Sequence, residues 1–410
     1  MTRAAWRALL RTTSFLLALA TATFVVTAGL SLPASQADSA DRGRRSVPPS
    51  SAGILTLDPG DIAATPDAYK GSYLVLQPWE YARIPALKAQ NPNLKILMYK
   101  DASATRKDVD WATGLASTGV TYQQAAAHDW LLTDSGGRVL EWSDWTNVYP
   151  ADVGNGGYQQ AWADNVIGEL RKYHWDGVMM DDTLTYLSHP TVGGRTSTQI
   201  PTDAAMYRSM GSFLDTVGGR IKAAGFMAVP NVTVEWNTWL SVMQDWTRYV
   251  SGWENEYFVK WGLDRNGARF VGPDWKWKMD MAAWCADRNV PLLAITYSNR
   301  DDVSIQTYHR ATWLLTWNGH TGASIFVPYE ANVDHWTARS TIEIGNPTET
   351  RHVVGSTGVW RRNYTGGTVL VNPTTQSRTL ALRHHYRKLN GRLVTSITVP
   401  ALSGVILRTS

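Results

Sequence analysis

Residues 175–183 read Trp175-Asp176-Gly177-Val178-Met179-Met180-Asp181-Asp182-Thr183. Within them, Val178–Asp181 passes from apolar side chains to a carboxylate, which is typical of a buried parallel strand whose C-terminal end opens into a site. Ahead of this run, residues 158–173 space their apolar side chains with the period of a helix. Helix, short turn, buried strand and acidic end predict one unit of a β/α fold. Asp181 or Asp182 could equally cap the next element, the commonest role of an Asp after a strand.

Length and composition indicate a globular protein. The chain has 410 residues, of which 44% are hydrophobic and 18% charged, which suits one large domain with a smaller one. Its single cysteine, Cys285, excludes an intrachain disulfide. The formal net charge is +4, but three of the arginines lie in an N-terminal segment that we expect to be removed. Because no basic stripe remains on the mature chain, we expect no nucleic-acid partner.

The N-terminus has the pattern of a secretory signal. Three arginines precede an apolar run at residues 14–30, and the small-residue sequence Ser35-Gln36-Ala37 follows it. We therefore predict a signal peptide over residues 1–37, cleaved after Ala37, and an extracellular protein without membrane contact after cleavage. An uncleaved membrane anchor is the alternative, because the apolar run is long for a signal. Residues 38–52 are rich in Ser, Arg and Pro and are predicted to be a disordered leader.

Short apolar runs alternate with helical patterns between residues 53 and 345. The runs that we interpret as strands are Tyr73–Gln77, Leu94–Tyr99, Trp130–Thr133 or Val148–Asp152, Val178–Asp181, Phe226–Pro230, Tyr249–Trp253, Pro291–Tyr297 and Ala323–Pro328. Eight such runs predict an α/β fold of the (β/α)8 TIM-barrel type, with an open doubly wound sheet as the alternative. The third run is the weakest, and residues 129–157 could instead form an extended loop over the barrel mouth.

The pattern changes after residue 345. Five short strand-like runs are separated by turn residues, including Asn390-Gly391, which is a strong hairpin signal. Residues 346–410 are therefore predicted to form a small all-β sandwich domain that supports the barrel.

The residues that follow the predicted strands suggest a carbohydrate site. In a barrel these residues converge on one face, where catalysis takes place. Cleavage of a glycosidic bond needs two carboxylates, and the strand ends supply Asp181 or Asp182 on one side and Glu254 or Glu256 on the other. Further polar and aromatic residues at these ends could bind sugars, whose flat C–H faces pack on aromatic rings. These candidate substrate-binding residues are Trp79, Tyr99, Lys100, Asp152, Asn231, Tyr297 and Tyr329.

Several of these residues have a structural alternative. Glu254 and Glu256 have the same parity on a strand, so both could face the barrel axis, with Glu256 nearer the mouth. Lys100 could form a structural ion pair with Asp101 instead of orienting a substrate. Asn231 begins the sequence Asn-Val-Thr, which is also a glycosylation signal.

Signatures of other chemistries are missing from the sequence. There is no P-loop, no dinucleotide-binding glycine pattern and no Gly-x-Ser-x-Gly elbow. The nine histidines include no His-x-His or His-Glu-x-x-His pair. We therefore expect no cofactor and no catalytic metal, and the pattern disfavours an esterase or a peptidase.

Two motifs resemble a known family. Residues 175–183 resemble the fourth strand of secreted glycoside-hydrolase-like barrels related to the endo-α-1,4-polygalactosaminidases and, more remotely, to α-galactosidase-type barrels. Residues 249–258, Tyr-Val-Ser-Gly-Trp-Glu-Asn-Glu-Tyr-Phe, resemble their sixth strand, although Ser251 stands where an Asp is usual. The resemblance implies that Asp181 is the nucleophile or base and that Glu256 is the proton donor. Glu254 remains a second candidate for the donor.

The sequence thus predicts a secreted, monomeric glycoside hydrolase that acts on a polysaccharide or oligosaccharide. The alternative is a non-catalytic glycan-binding or cell-surface protein on a barrel scaffold, since a fold does not determine function. Acidic residues at the strand ends could favour amino sugars, but neutral glycans are equally compatible with them.

Overall fold

The computed structural model describes residues 50–107 and 114–410. The predicted signal peptide and most of the predicted leader lie outside these residues. No helix in the described part of the chain combines the length and the apolar character that crossing a membrane requires.

Ten strands precede residue 330 in the described chain. They are β1 (Gly53–Leu55), β2 (Tyr73–Leu76), β3 (Lys95–Asp101), β4 (Ala104–Arg106), β5 (Val148–Pro150), β6 (Gly177–Leu184), β7 (Met227–Thr233), β8 (Trp253–Asn255), β9 (Leu292–Ser298) and β10 (Ala323–Pro328). All except β4 and β5 form one parallel sheet in the order β1-β2-β3-β6-β7-β8-β9-β10. Ala52 pairs in parallel with Ser324, so the first strand approaches the last. The sheet is a nearly closed eight-stranded barrel. The predicted fold class is confirmed, and the open-sheet alternative is wrong.

Helices connect the strands. Within the described residues they are α1 (Asp61–Ala64), α2 (Ile84–Gln90), α3 (Tyr122–Ala127), α4 (Gly156–Tyr173), α5 (Asp203–Phe213), α6 (Gly219–Ala223), α7 (Trp239–Trp246), α8 (Pro273–Asp287) and α9 (Val303–Thr316). A π-helical turn, Leu214–Gly218, joins α5 to α6, so that the three segments form one continuous helical stretch.

In the unit α4–β6, individual residues determine where the helix begins and ends and how the strand packs in the barrel. Asn155 caps α4 by accepting hydrogen bonds from two backbone amides, and His174 ends it in the left-handed conformation, with φ +61°. In the turn, Asp176 accepts a hydrogen bond from the backbone amide of Ile96 at 2.7 Å, which joins it to β3. A Cβ atom on Gly177 would lie 2.3 Å from the carbonyl oxygen of Met227, so only glycine fits between β6 and β7. The Asp-Gly pair therefore has a structural role, and the carboxylates lie at the other end of the strand.

Alternate side chains of each strand face opposite sides of the barrel wall. One set packs beneath the helices in the large outer core. The other set fills the barrel interior and consists of Leu55, Tyr73, Val75, Leu97, Met179, Val229, Leu293, Ile295, Tyr297, Ala323, Ile325 and Val327. This packed interior forms a floor beneath the polar strand ends.

One predicted strand is wrong, and another was missed. Val148–Pro150 pairs antiparallel with Ala104–Arg106 outside the barrel, so the run at 148–152 is not the third barrel strand. The alternative run, Trp130–Thr133, forms only isolated antiparallel bridges and does not belong to the barrel either. The missing strand is β1, whose three residues are too few to show a period. Ser51 and Ala52, assigned to the disordered leader, are fully buried at the barrel closure. The ordered chain therefore begins before the predicted boundary.

Six strands form the C-terminal sheet. They are β11 (His352–Val353), β12 (Trp360–Tyr364), β13 (Gly367–Asn372), β14 (Arg378–Arg387), β15 (Leu393–Val399) and β16 (Ser403–Thr409). The strands run antiparallel in the order β11-β12-β13-β16-β14-β15, with Gly391 in the turn between β14 and β15. Arg362 donates a hydrogen bond to the carbonyl oxygen of Trp317 at 2.6 Å, and Gly404 packs against Ala311 of α9. The sheet therefore packs against the outer helices of the barrel. The boundary between residues 345 and 346 stays a prediction.

Candidate active site

Strand β6 changes its geometry where its carboxylates begin. Its register with β7 shifts between Met180 and Thr183, which is a β-bulge. Asp182 within the bulge has φ +49°, a left-handed conformation that is uncommon for a residue other than glycine. Bulges re-aim side chains, and strained backbone concentrates at functional sites. The bulge marks the end of β6 as a candidate site.

Asp181 is held by three hydrogen-bond donors. Its Oδ1 atom accepts from the Asn231 amide of β7 at 2.8 Å and from the backbone amide of Asp182 at 2.8 Å. Its Oδ2 atom accepts from the hydroxyl of Tyr99 on β3. Burial and the charge of Asp182 raise the pKa of Asp181 above its usual value, while the Tyr99 and Asn231 hydrogen bonds oppose this rise. The carboxylate is therefore fixed in orientation between neighbouring strands.

Glu256 lies just beyond β8, on the other side of Asn231. Its Oε1 atom accepts a hydrogen bond from the Tyr297 hydroxyl of β9. Burial and the charge of Asp181 raise the pKa of Glu256 to about 8, against the lowering effect of hydrogen bonds from Tyr297 and Asn231. The two carboxyl groups thus interact electrostatically and share Asn231 as a neighbour. A carboxyl group with this pKa retains its proton near neutral pH, as a general acid must.

Glu254 lies two residues before Glu256 and faces the same side of the chain, deeper in the barrel. It is fully buried and pairs across the sheet with Asn231, and neither carboxyl oxygen has a hydrogen-bond partner in the described structure. Burial and the charge of Glu256 raise its pKa well above the usual value. Asn255 accepts a hydrogen bond at 2.5 Å from Lys278 of α8. Lys278 also donates to the Glu256 carbonyl oxygen at 2.9 Å, which fixes the end of β8.

We expect Glu254→Gln to preserve activity and to change the pH dependence of stability. In the folded protein the neutral carboxyl group resembles an amide in shape, so the pocket should accept the change. Because the folded protein holds this proton and the unfolded chain releases it above its ordinary pKa of 4.5, stability falls as pH rises past that value. Above that pH, one such proton lowers the free energy of unfolding by about 1.4 kcal/mol per pH unit. The Glu254→Gln variant should not show this decrease. Urea unfolding at pH 5 and pH 7 checks this; an unaltered pH dependence would show that Glu254 is ionised in the folded state.

His189 connects Asp182 to the irregular segment that contains Asp144. Its Nε2 atom lies 3.1 Å from Oδ1 of Asp182, and its Nδ1 atom lies 2.9 Å from Oδ2 of Asp144. The imidazole stacks on Trp142 with 4.0 Å between ring centroids. Burial disfavours the charged imidazole, but the hydrogen bonds and charges of the two carboxylates outweigh this and raise the pKa of His189 to about 10. A cationic His189 therefore offsets the charge of Asp182, beside a cavity of about 240 Å³.

Asp101 contributes a further buried carboxyl group at the end of β3. It pairs across the sheet with Asp181 and accepts hydrogen bonds from the backbone amides of Ser103 and Ala104, both at 2.9 Å. Burial and the charges of Asp182 and Asp181 raise its pKa well above the usual value. Asp101 thus shapes the turn after β3 and borders the acidic centre.

The structure brings together seven of the residues singled out from the sequence. Asp181 and Glu256 approach a common neighbour, Asn231, and each accepts a hydrogen bond from a tyrosine. Around them are the other predicted residues of the group, namely Tyr99, Asp182, Glu254 and Tyr297.

Two predicted substrate-binding residues lie elsewhere. Lys100 alternates with Tyr99 and points into the outer layer, where its ammonium group contacts Glu169 of α4 at 2.8 Å. It is fully buried there, so its predicted contact with substrate is wrong, as is its alternative pairing with Asp101. Asp152 follows β5 instead of a barrel strand, and its side chain accepts a hydrogen bond from the backbone amide of Gly154 at 3.1 Å. Its placement at a barrel strand end is therefore wrong.

Two further predicted residues lie after barrel strands. Trp79 is half-buried in the 3-10 turn Pro78–Arg83 that follows β2. Tyr329 follows β10 and is 46% exposed. Their contact with substrate stays a prediction.

Sequence reasoning missed His189 and Lys278. His189 lies in an irregular segment, where no period indicates which way a side chain points. Lys278 lies on α8 in a pattern rich in Trp and Met, and its burial is the unusual feature, because lysine is almost never fully buried without a partner. Within residues 50–107 and 114–410, no group of three or more His, Cys, Asp or Glu side chains has an arrangement that could hold a metal ion.

A family model and several solved structures match this chain. Residues 88–368 match the model of a family described as hypothetical glycosyl hydrolase family 15. No curated protein matches the chain.

Several solved structures resemble the chain. The glycoside hydrolase domain of PelA from Pseudomonas aeruginosa matches with a TM-score of 0.46 and 14% identity, over 68% of this chain and 95% of that one. Ega3 of Aspergillus fumigatus, in complex with galactosamine, matches with a TM-score of 0.41 and 11% identity, over 70% of this chain and 95% of that one. The maltogenic α-amylase AmyB from Thermotoga neapolitana matches with a TM-score of 0.47 and 10% identity, over 87% of this chain and 98% of that one.

Proposed function

Since the chain belongs to hypothetical glycosyl hydrolase family 15, we propose that it cleaves glycosidic bonds of a polysaccharide or oligosaccharide with Asp181 and Glu256 as its carboxylate pair. The observation that carries the proposal is the arrangement around Asn231. Two carboxyl groups from different strands approach this amide, and one of them has a pKa of about 8. Glycosidases use such a pair, one carboxyl group as acid and the other as nucleophile or base.

Glu256 would act as the general acid. Its proton passes to the glycosidic oxygen as the bond between that oxygen and the anomeric carbon breaks, which yields a neutral hydroxyl on the leaving sugar. Burial gives Glu256 the raised pKa that this step needs. The Tyr297 hydroxyl orients the carboxyl group.

Asp181 would act on the anomeric carbon from the opposite side. It either attacks that carbon or takes a proton from a water that attacks, depending on whether the carboxyl groups are about 5–5.5 Å or about 6.5–9.5 Å apart. Tyr99 and Asn231 hold the carboxylate in place, and the cationic His189 on Asp182 limits the accumulation of negative charge beside it.

The pH dependence should follow from these two groups. Activity needs Glu256 protonated, so kcat/KM should decline about tenfold per pH unit above a pKa of about 8. It also needs Asp181 ionised, and because burial raises the pKa of Asp181, the acidic limb should lie above the ordinary pKa of an Asp. Initial rates from pH 4 to pH 10 check both limbs. Constant kcat/KM up to pH 10 would remove Glu256 as the acid.

The proposal is tested by measuring reducing ends released from a panel of polysaccharides, including α-1,4-galactosamine polymer, chitosan, amylose and cellulose oligomers. We expect release from at least one glycan. Saturable binding without release over long incubation would instead support the glycan-binding alternative.

The proposal includes secretion. The signal peptide at residues 1–37 lies outside the described structure, and its support is the pattern of arginines, apolar residues and small residues in the sequence. N-terminal sequencing of exported protein should begin at Asp38, and a retained N-terminal segment in membranes would favour the anchor.

A further inference from the structure

Trp261 is exposed on the loop that follows β8, the strand whose end leads to Glu256. Its side chain is 53% exposed although it is among the largest apolar side chains. Single exposed apolar residues are common, so exposure alone assigns no role. Trp261 differs from other exposed apolar residues in its position after β8 and in its contacts with the rings beside Glu256.

A series of aromatic contacts leads from Trp261 to the candidate acid. The rings of Trp261 and Tyr257 have centroids 5.2 Å apart, and those of Tyr257 and Tyr297 lie 5.7 Å apart. Tyr297 donates its hydroxyl hydrogen bond to Glu256. Trp261 is therefore separated from the residue that binds Glu256 by a single intervening ring.

Buried contacts fix the loop that carries Trp261. The Lys260 ammonium group donates hydrogen bonds to the carbonyl oxygens of Gly262 at 2.8 Å, Asp264 at 2.7 Å and Tyr297 at 3.2 Å. Lys260 is only 1% exposed. These bonds tie the loop to the end of β9.

Two further contacts hold Trp261, one through its backbone and one through its indole ring. The backbone amide of Trp261 donates to the carbonyl oxygen of Ala268 at 2.9 Å. The Phe270 ring and the indole pack in a T-shaped arrangement with 5.3 Å between centroids. An exposed ring that is already held in one place loses little conformational freedom when it binds a ligand.

We propose that Trp261 is a substrate-binding platform on which a pyranose ring of the glycan stacks, beside the bond that is cleaved. This inference rests on the proposed function and adds a residue that determines how the polymer is held. The flat C–H face of a sugar matches the exposed face of the indole. Because Trp261 lies on the Glu256 side, it contacts a sugar unit near the oxygen that receives the proton.

The test measures binding in an inactive background. Asp181→Asn and Asp181→Asn/Trp261→Ala are titrated calorimetrically with oligomers of α-1,4-galactosamine, chitosan, maltose and cellulose. We expect Trp261→Ala to raise Kd about tenfold for the oligomer that binds, and Trp261→Tyr to recover most of the affinity. In the active enzyme, Trp261→Ala should raise KM with little change in kcat, because the contact is made before and during the reaction.

The control is Leu393→Ala, which removes another exposed apolar side chain, 46% exposed on β15 of the C-terminal sheet. Its Kd should equal that of the Asp181→Asn background. Unchanged affinity in the Trp261→Ala variant, with a sugar that the background binds, would overturn the platform and leave the proposed function intact. Absence of binding to all four oligomers, together with no release of reducing ends by the wild type, would overturn both.

Discussion

Replacing Asp181 by Asn is expected to lower kcat by about a thousandfold or more while the protein stays folded. The amide has nearly the same size: its oxygen can still accept the hydrogen bonds from Asn231 and the Asp182 backbone amide, and its NH2 group can donate to the Tyr99 hydroxyl, so packing is retained. It carries no negative charge and can neither attack the anomeric carbon nor take a proton from water. Reducing-end release at saturating substrate measures the loss, and circular dichroism with urea unfolding verifies the fold.

Asp182→Asn is the matched control for this prediction. Asp182 is the adjacent carboxylate, but its contact is with His189, and it was the alternative catalytic residue. We expect a smaller loss, since the change removes a partner of His189 and leaves Asp181 in place. If Asp182→Asn abolished turnover and Asp181→Asn did not, the roles of the two residues would have to be exchanged.

Replacing Glu256 by Gln is expected to lower kcat about 10²–10⁴-fold, the usual contribution of a general acid. The amide can still accept the Tyr297 hydrogen bond but has no acidic proton to give. The loss should be much smaller for an aryl glycoside with a good leaving group, which departs without a proton. The alkaline limb near pH 8 should disappear from the pH profile, because the group that titrates there has been removed.

Glu254→Gln is the matched control for Glu256→Gln. Both changes replace a buried carboxyl group on the same short segment, but Glu254 lies deeper and has no hydrogen-bond partner in the described structure. Activity within about tenfold of the wild type in Glu254→Gln, beside a large loss in Glu256→Gln, would assign the donor. The reverse pattern would make Glu254 the acid.

Much of the fold could be predicted because it is encoded locally. Buried parallel strands such as β6 appear as apolar runs, and their spacing by helices predicts a barrel. Strand β1 gave no such signal, since three residues show no period. The run at 148–152 is apolar enough for a strand, but it pairs antiparallel with β4, a contact that no local pattern indicates.

The candidate site could be predicted in part for the same reason. Parallel strands end on one face, so the ends of β6 and β8 indicated Asp181 and Glu256 before any contact was known. Lys100 is the exception, because adjacent residues of a strand face opposite sides: Tyr99 faces the site, and Lys100 therefore faces the outer helices.

The contribution of His189 could not be predicted. It lies in irregular structure and reaches Asp182 and Asp144, each from a different segment of the chain. Lys278 was likewise hidden, because its contacts with β8 come from an outer helix. Such residues are found only when tertiary packing is known.

The most direct test of the carboxylate pair is a proton NMR time course of a cleaved glycan, which resolves the two anomers of each new reducing end before they interconvert. Two carboxyl groups fixed on either side of one bond direct attack to one face of the sugar. We predict that a single anomer accumulates first with the wild type and that neither Asp181→Asn nor Glu256→Gln produces it at a comparable rate. Both anomers at their equilibrium ratio from the first spectrum, or undiminished product from either variant, would contradict the account.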